Sequence, residues 1–202
     1  PFDGYVEMNG AKTTLGEEVI DSHPLSKETS LKIAGIAEQE NVSCWVFADT
    51  VAGINHGSPQ ANEVADMINL HPDHFLDLSK IAREHTVYEY TIFFNDEQAS
   101  RLLFPVLKNV AYTRWHPYFL DIVPEGLSKS YGAARILDRI GVRREECMAF
   151  GDGGNDIPII EYAGVGIAMG NATDDVKAAA DYVTDTVDED GIVTALEYFG
   201  VI

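Results

Sequence analysis

Two aspartates, Asp152 and Asp156, lie four residues apart in the glycine-rich string Gly-Asp-Gly-Gly-Asn-Asp. The apolar residues 147–150 before it predict a strand, and the residues after it predict a helix. Both carboxylates would then converge on one hard cation at the carboxyl end of the strand. Mg²⁺ prefers such oxygen ligands and keeps waters that a phosphate can replace. The alternative is an ordinary glycine turn followed by an acidic helix start.

Two further strings hold groups that suit phosphate chemistry. Lys129 follows Gly-Leu-Ser just before a predicted helix, and Asn171 follows the apolar strand predicted at 165–168. Phosphoryl transfer concentrates negative charge on oxygen, so its site needs cations and hydrogen-bond donors. Lys129 would supply a cation, and Asn171 would supply a hydrogen-bond donor. A solvated lysine and a helix-capping asparagine are the respective alternatives.

The order of the motifs resembles the haloacid dehalogenase (HAD) superfamily of phosphotransferases. The similarity is greatest to its Cof-type branch (subfamily IIB), which contains sugar-phosphate and related phosphatases with a large inserted cap. The strings that carry this resemblance are Asn9-Gly10-Ala11, Pro124-Glu125-Gly126-Leu127-Ser128-Lys129, Gly151-Asp152-Gly153-Gly154-Asn155-Asp156, Met169-Gly170-Asn171-Ala172 and Asp190-Gly191-Ile192.

The resemblance implies a role for each site residue. Lys129 would contact the phosphate and the nucleophilic carboxylate, and Asp152 would bind Mg²⁺. Asp156 would either bind the same ion or hold Lys129 in place through a charge-assisted hydrogen bond. Asn155 would donate its amide to the phosphate or the nucleophile, and Asn171 would act in a similar way. The implied substrate is a small-molecule phosphate ester.

The family's nucleophile lies in an Asp-x-Asp-Gly-Thr/Ser turn, a string that this sequence does not contain. The nearest match, Phe2-Asp3-Gly4-Tyr5, predicts a simple turn. The resemblance therefore implies a fragment whose nucleophile lies upstream, with two strand-helix units, about 60 residues, preceding Pro1. We expect the chain as given to bind Mg²⁺ weakly and not to turn over phosphate esters.

Two other functions fit the same motifs. The Gly-Asp-Gly-x-Asn-Asp string also serves other phosphoaspartate enzymes, such as mutases and phosphoserine-type phosphatases. A protein of a different class, a non-catalytic binding or regulatory module, would keep the metal-site loop without the nucleophile.

The sequence predicts an α/β fold with two parts. Strands and helices alternate in the last third of the chain, which is typical of a doubly wound, Rossmann-like sheet with its ligand site at the carboxyl ends of the strands. This HAD core, incomplete at its amino terminus, would comprise 1–12 and 121–202, with Asn9 near the hinge. An inserted α+β cap domain would comprise 13–120.

Within the predicted cap, helical and strand patterns alternate. A hairpin would turn tightly at His116-Pro117, and Ser26 would cap the first helix. Residues 88–94 would place Tyr88, Tyr90, Ile92 and Phe94 on one side of a strand. The predicted helices cover 26–40, 61–70 and 97–108, and the predicted strands cover 42–47, 88–94, 110–115 and 118–123.

Specificity would come from the cap. The candidates are Trp115, His116 and Tyr118 on the hairpin, with Asp49, Thr50, Asn55 and His56 in a polar loop. A weaker hypothesis places a transition metal at His71, Asp73, His74 and Asp77, although a loop leading into a helix explains these residues equally well.

Composition excludes several classes of function. A net charge of −19, with only 14 Lys plus Arg, would repel nucleic acid. There is no apolar run near 18 residues, so no membrane partner is expected. Cys44 and Cys147 lie far apart in apolar runs, which favours buried free thiols and a cytoplasmic location.

Overall fold

A computed structural model describes residues 2–71 and 75–202 of the chain. These residues form two compact units. The discontinuous unit comprises Pro1–Asp21 and Ser128–Ile202, and the inserted unit comprises Ser22–Leu127. Within the described ranges, no helix combines the length and the apolar character needed to span a bilayer.

The described strands form three separate sheets. In chain order the strands are β1 (Gly4–Glu7), β2 (Lys12–Leu15), β3 (Glu18–Ser22), β4 (Cys44–Ala48), β5 (Ala52–Ile54), β6 (Val87–Ile92), β7 (Val110–Thr113), β8 (Leu120–Pro124), β9 (Met148–Gly151), β10 (Val165–Ala168) and β11 (Tyr182–Val183).

Helices connect these strands in both units. In chain order the helices are α1 (Lys27–Gln39), α2 (Pro59–Ile68), α3 (Leu78–Glu84), α4 (Asp96–Leu102), α5 (Lys129–Ile140), α6 (Ile157–Tyr162), α7 (Asp174–Ala179) and α8 (Gly191–Tyr198).

The discontinuous unit contains a parallel sheet in the order β11, β10, β9. Ala168 at the end of β10 lies opposite Gly151 at the end of β9, so both strands end at the same edge. The helices α6 and α7 pack beside β10 around a small apolar core that includes Ile160 and Val176. This strand-helix alternation is the doubly wound arrangement that the sequence predicts.

The same unit contains an antiparallel sheet in the order β1, β2, β3, which sequence patterning missed. Its strands are short and polar, so they lack a clear apolar alternation. Helix α5 packs closely on this sheet at Gly132. A Cβ there would lie 2.4 Å from Cγ1 of Val6 and 2.8 Å from Oγ1 of Thr13, so only glycine allows this contact.

The inserted unit is an α+β layer built on a sheet in the order β5, β4, β6, β8, β7, with antiparallel neighbours throughout. Residues of α1, α3 and α4 pack with the sheet in one apolar core, and residues of α2 pack with Trp45, Phe93 and Phe119 in a second. Because β6 is central and covered on both faces, every residue of Val87–Ile92 is buried. The sequence placed Tyr88, Tyr90 and Ile92 on one side of this strand. That side is buried, but so is the opposite side.

The boundaries between the units lie later in the chain than the sequence placed them. Residues 13–21 belong to the discontinuous unit, because β2 and β3 extend its antiparallel sheet. Residues 121–127 belong to the inserted unit, because β8 pairs with both β6 and β7. Pairing between strands decides both boundaries, and neither pairing is visible from local sequence.

A turn is present at the predicted His116-Pro117 position, but the connection between the strands is longer than the two residues predicted. The strands β7 and β8 pair from Thr113 opposite Asp121, which leaves a wider connection over 114–119. The guanidinium of Arg114 closes this connection by donating to the carbonyl oxygens of Pro117 at 3.0 Å and Phe119 at 2.8 Å. A hydrogen bond from the N–H of Phe119 to the carbonyl of His116, at 3.5 Å, forms a turn within the same connection.

Two local predictions were tested directly. Ser26 caps α1, since its Oγ accepts a hydrogen bond from the backbone N–H of Thr29 at 3.0 Å. Both cysteines are free thiols, as predicted, but only Cys44 is buried. Cys147 is partly exposed because it lies just before β9, where its thiol donates to the carbonyl of Arg144.

Candidate active site

The loop between β9 and α6 brings Asp156 back over the end of the strand. A Cβ at Gly151 would lie 2.4 Å from Cβ of Asp156 and 3.0 Å from Cδ1 of Ile160. Glycine at this position is therefore required for the start of α6 to pack on β9. Pro158 then fits the first turn of α6, where a missing backbone N–H costs nothing.

The Asp156 carboxylate is buried and has a partner on each oxygen. Oδ2 accepts hydrogen bonds from the backbone N–H groups of Asp152 and Gly153, each at 3.1 Å. Oδ1 accepts from the ammonium of Lys129 in an ion pair. Of the two roles that the sequence left open for Asp156, this geometry favours holding Lys129 over binding a metal.

Lys129 is the first residue of α5, and the chain around it is fixed. Ser128 caps the helix by accepting from the N–H of Tyr131 at 3.1 Å. Gly10, at φ +94°, lies so close that a Cβ there would be 2.2 Å from the carbonyl oxygen of Ser128. The Lys129 side chain is nevertheless 34% exposed, so a phosphate can reach donors that Asp156 does not use.

Asn155 and Asn9 meet although 146 residues separate them. The amide of Asn155 donates to Oδ1 of Asn9 at 3.2 Å. Asn9 adopts a left-handed conformation at φ +52°, which asparagine tolerates better than most residues. The sequence placed these residues in separate motifs, and it carried no signal that they are partners.

Asn171 links the loops that follow the three parallel strands. Its Nδ2 donates to Oδ2 of Asp152 at 3.1 Å, and its Oδ1 accepts from the N–H of Val187 at 3.1 Å. The alternative role of Asn171 as a helix cap was wrong, because the N-cap of α7 is Thr173. Asn171 thus orients the Asp152 carboxylate. The hydrogen bond from the backbone N–H of Val187 was not predicted, because a backbone N–H is common to nearly all residue types.

The described residues offer a magnesium ion one well-placed ligand. Asp152 is exposed, and its carboxylate is a hard oxygen donor of the type that Mg²⁺ prefers. Both oxygens of Asp156 are already occupied by other partners. Over residues 2–71 and 75–202, no group of three or more His, Cys, Asp or Glu side chains is placed to hold a metal. A Mg²⁺ ion that takes one or two carboxylates, waters and phosphate oxygens fits this donor set.

Several specificity candidates in the inserted unit have structural partners. Asn55 accepts from the N–H groups of Cys44 and His56 and donates to the carbonyl of Val42, so both ends of its amide have backbone partners. Trp115 is 39% exposed while its indole N–H donates to Asp121 at 3.0 Å.

The loop that carries Asp49 and Thr50 is joined to His85. Oδ1 of Asp49 lies 3.1 Å from Nδ1 of His85, and the Thr50 hydroxyl lies 3.3 Å from the same nitrogen. The hydrogen bond with His85 is the main cause that lowers the pKa of Asp49.

The transition-metal hypothesis finds no support in the described residues. Asp77 caps α3 by accepting from the N–H of Lys80 at 2.7 Å, and His71 lies 3.7 Å from Asp66. The other two candidates, Asp73 and His74, lie outside the described residues.

The chain belongs to the haloacid dehalogenase-like hydrolase family, whose model matches residues 2–196. YkrA of Bacillus subtilis (strain 168) is 29% identical over 199 residues, which cover 98% of this chain and 76% of YkrA. YcsE of the same organism, a 5-amino-6-(5-phospho-D-ribitylamino)uracil phosphatase, is 40% identical over 92 residues. That match covers 46% of this chain and 37% of YcsE.

Solved structures show the same fold. The HAD subclass IIB sugar phosphatase BT4131 matches with a TM-score of 0.89 and 35% identity over 99% of this chain and 76% of that protein. BT1666 from Bacteroides thetaiotaomicron, a phosphatase of the HAD superfamily, matches with a TM-score of 0.85 and 33% identity, covering 100% and 75% respectively. The family, the α/β fold and the class of phosphoric monoester hydrolase predicted from the sequence are confirmed.

Proposed function

We propose that this chain carries the phosphate-binding and metal-binding part of a Mg²⁺-dependent phosphatase that acts on small phosphorylated metabolites, with sugar phosphates as the favoured substrates. The observation that carries the proposal is the Lys129–Asp156 ion pair, which holds an ammonium group beside the loop of Asp152. Among similar proteins, BT4131 is a sugar phosphatase and YcsE acts on a phosphorylated ribityl compound.

Lys129 would neutralise charge that builds up on the transferred phosphoryl oxygens. Its ammonium has three donors, and the ion pair with Asp156 fixes its position in advance. Asn155, in the same loop as Asp152, would donate its second amide hydrogen to the phosphate. Each group is held by protein contacts before substrate arrives, so little reorganisation is needed during the reaction.

Asp152 would hold the Mg²⁺ ion, with Asn171 fixing the carboxylate from outside the coordination shell. When bound, Mg²⁺ supplies charge neutralisation and orientation of the phosphate. Of the two roles that the sequence left open for Asp156, this proposal assigns it the positioning of Lys129.

The nucleophile in this proposal is an aspartate that precedes the present chain in the native protein and forms an aspartyl-phosphate. The sequence has no Asp-x-Asp-Gly-Thr/Ser string. Among the described residues β9 is an edge strand of its parallel sheet, so the side of β9 away from β10 is open to pairing with a further strand. We therefore propose that the chain as given is inactive towards phosphate esters.

Phosphate release from a panel of sugar phosphates, with and without Mg²⁺, tests the proposal. The chain is compared with a version extended upstream through its native coding sequence. We expect activity only in the extended form, and a loss of about 10²- to 10³-fold in kcat on Lys129→Ala or Asp152→Asn. Lys108→Ala, at an exposed lysine of the inserted unit, is the control.

Activity of the unextended chain would show that the proposed nucleophile is wrong. If neither form hydrolyses any ester, but the extended form binds inorganic phosphate in a Lys129-dependent way, the chain is instead a binding or regulatory module.

A further inference from the structure

A cavity of about 320 Å³ lies within the inserted unit, and all of its described lining residues belong to that unit. Its walls come from the start of β4, the start of α2, the end of β6 and the connection between β7 and β8. Its volume is at the lower end of the range for small-molecule sites, about 300–1,000 Å³.

Most of the described residues that line this cavity are polar or aromatic, Val42 and Pro117 are apolar, and none of them is Asp, Glu, Lys or Arg. The polar groups include the amides of Asn41 and Gln60, the hydroxyl of Tyr118 and the imidazole of His56. The ring of Phe93 adds an aromatic surface. Without fixed charges, this lining does not suit a phosphate or a metal ion, but it suits hydroxyl groups on a ring or a chain.

Side chains behind the walls hold the wall segments together. Asn55 ties β4 to the residues before α2 through its bonds to the backbone of Val42 and Cys44. The guanidinium of Arg114 ties the β7–β8 connection to the end of β6 by donating to the carbonyl of Phe94 at 2.9 Å, and it pairs with Asp96 at 3.0 Å. The cavity is therefore formed in advance, which lowers the entropic cost of binding.

Two lining residues contain buried polar atoms that lack a hydrogen-bond partner among the described residues, namely Oγ of Ser43 and Nε2 of His56. Ser43 as a whole is only 1% exposed. Nδ1 of His56 lies 3.1 Å from the carbonyl of Gly57. Because a carbonyl only accepts, Nδ1 carries the proton and Nε2 is an acceptor in the neutral ring. A buried polar atom without a partner is costly, so a ligand hydroxyl that pairs with it would bind favourably.

We propose that this cavity binds an uncharged, polyhydroxylated molecule of about the size of a monosaccharide. The hydroxyl groups would pair with Asn41, Gln60, Ser43 and His56, and the apolar face of the ligand would pack on Phe93 and Tyr118. The lining residues differ from those proposed for phosphate chemistry, and the test needs no turnover.

Titration of the isotopically labelled chain with D-glucose and D-mannitol, followed by amide NMR shifts, tests the proposal. We expect saturable shifts confined to residues around 41–43, 56–60, 93–98 and 117–118. Gln60→Ala should weaken binding about fivefold, the usual value of one neutral hydrogen bond. The matched control is Gln39→Ala, which changes an exposed glutamine at the end of α1 outside the cavity lining.

Ser43→Ala separates a ligand-binding role from a structural one. It removes a hydroxyl that has no protein partner among the described residues, so stability should be unchanged or higher while sugar binding weakens. Inorganic phosphate should not shift these amides. The proposal is overturned if neither sugar gives saturable shifts up to about 100 mM, or if Gln60→Ala and Gln39→Ala bind equally well.

Discussion

Lys129 and Asp156 form an ion pair across 27 residues of sequence, and the same Asp156 carboxylate accepts from the backbone of the loop that carries Asp152. One buried side chain therefore fixes both the Lys129 ammonium and the loop that carries Asp152. The side chain of Asp156 is 11% exposed, so these partners supply most of the hydrogen bonds that water would otherwise make to it.

Asp156→Asn is expected to lower the free energy of unfolding by about 1–3 kcal/mol, because the amide cannot satisfy both the ammonium and the two backbone N–H groups. Urea denaturation of the chain measures this loss. Asp188→Asn, at an exposed carboxylate of the same unit, should change stability by about 0.5 kcal/mol or less. Similar effects of the two substitutions would contradict the anchoring role.

Two helical glycines should respond to alanine in opposite directions. Gly132→Ala places a Cβ 2.4 Å from Val6, so overpacking should cost about 1–3 kcal/mol. Gly35→Ala, in the middle of α1, meets no described atom within 4 Å and should stabilise the chain by about 0.5–1 kcal/mol. Thermal unfolding measures the Tm of both variants. If Gly132→Ala raises Tm as Gly35→Ala does, the contact of α5 with Val6 is not closely packed.

The two thiols should differ in reactivity. Cys44 is completely buried, and burial raises the pKa of its thiol, while Cys147 is partly exposed. A thiol-specific chromogenic reagent should therefore modify one cysteine in the folded chain and both after unfolding in urea. Cys147→Ser should abolish labelling of the folded chain by the reagent. Labelling of the folded variant would mean that Cys44 is accessible.

The Asp49–His85 contact predicts a small dependence on pH. The hydrogen bond from His85 lowers the pKa of Asp49 below its ordinary value. A carboxyl with a lowered pKa stabilises the fold above its unfolded-state pKa, and this contribution is lost as the pH falls through the folded-state pKa. His85→Ala should raise the Asp49 pKa in an NMR titration, whereas His71→Ala should leave it unchanged.

Local sequence was sufficient for elements that glycine, capping residues and apolar periodicity define. The spacing in 165–168 predicted β10 with its observed bounds, and the Ser26 cap placed the start of α1. Sequence was not sufficient for β2 and β3, because strand pairing between polar segments has no periodic signal. The width of the connection at 114–119 was missed because the contacts of the Arg114 side chain with backbone carbonyls have no signature in the local sequence.

The sequence by itself determined the family and the α/β class, and it supplied the site candidates Lys129, Asp152, Asn155, Asp156 and Asn171, because each of these is carried by residue types at fixed local spacing. Only the tertiary structure decided what those residues do to one another. In the folded chain, Asp156 forms an ion pair with Lys129. Asn155 donates a hydrogen bond to Asn9, and Asn171 donates one to Asp152. Such contacts join segments far apart in the chain, and their geometry follows from how sheets and helices pack.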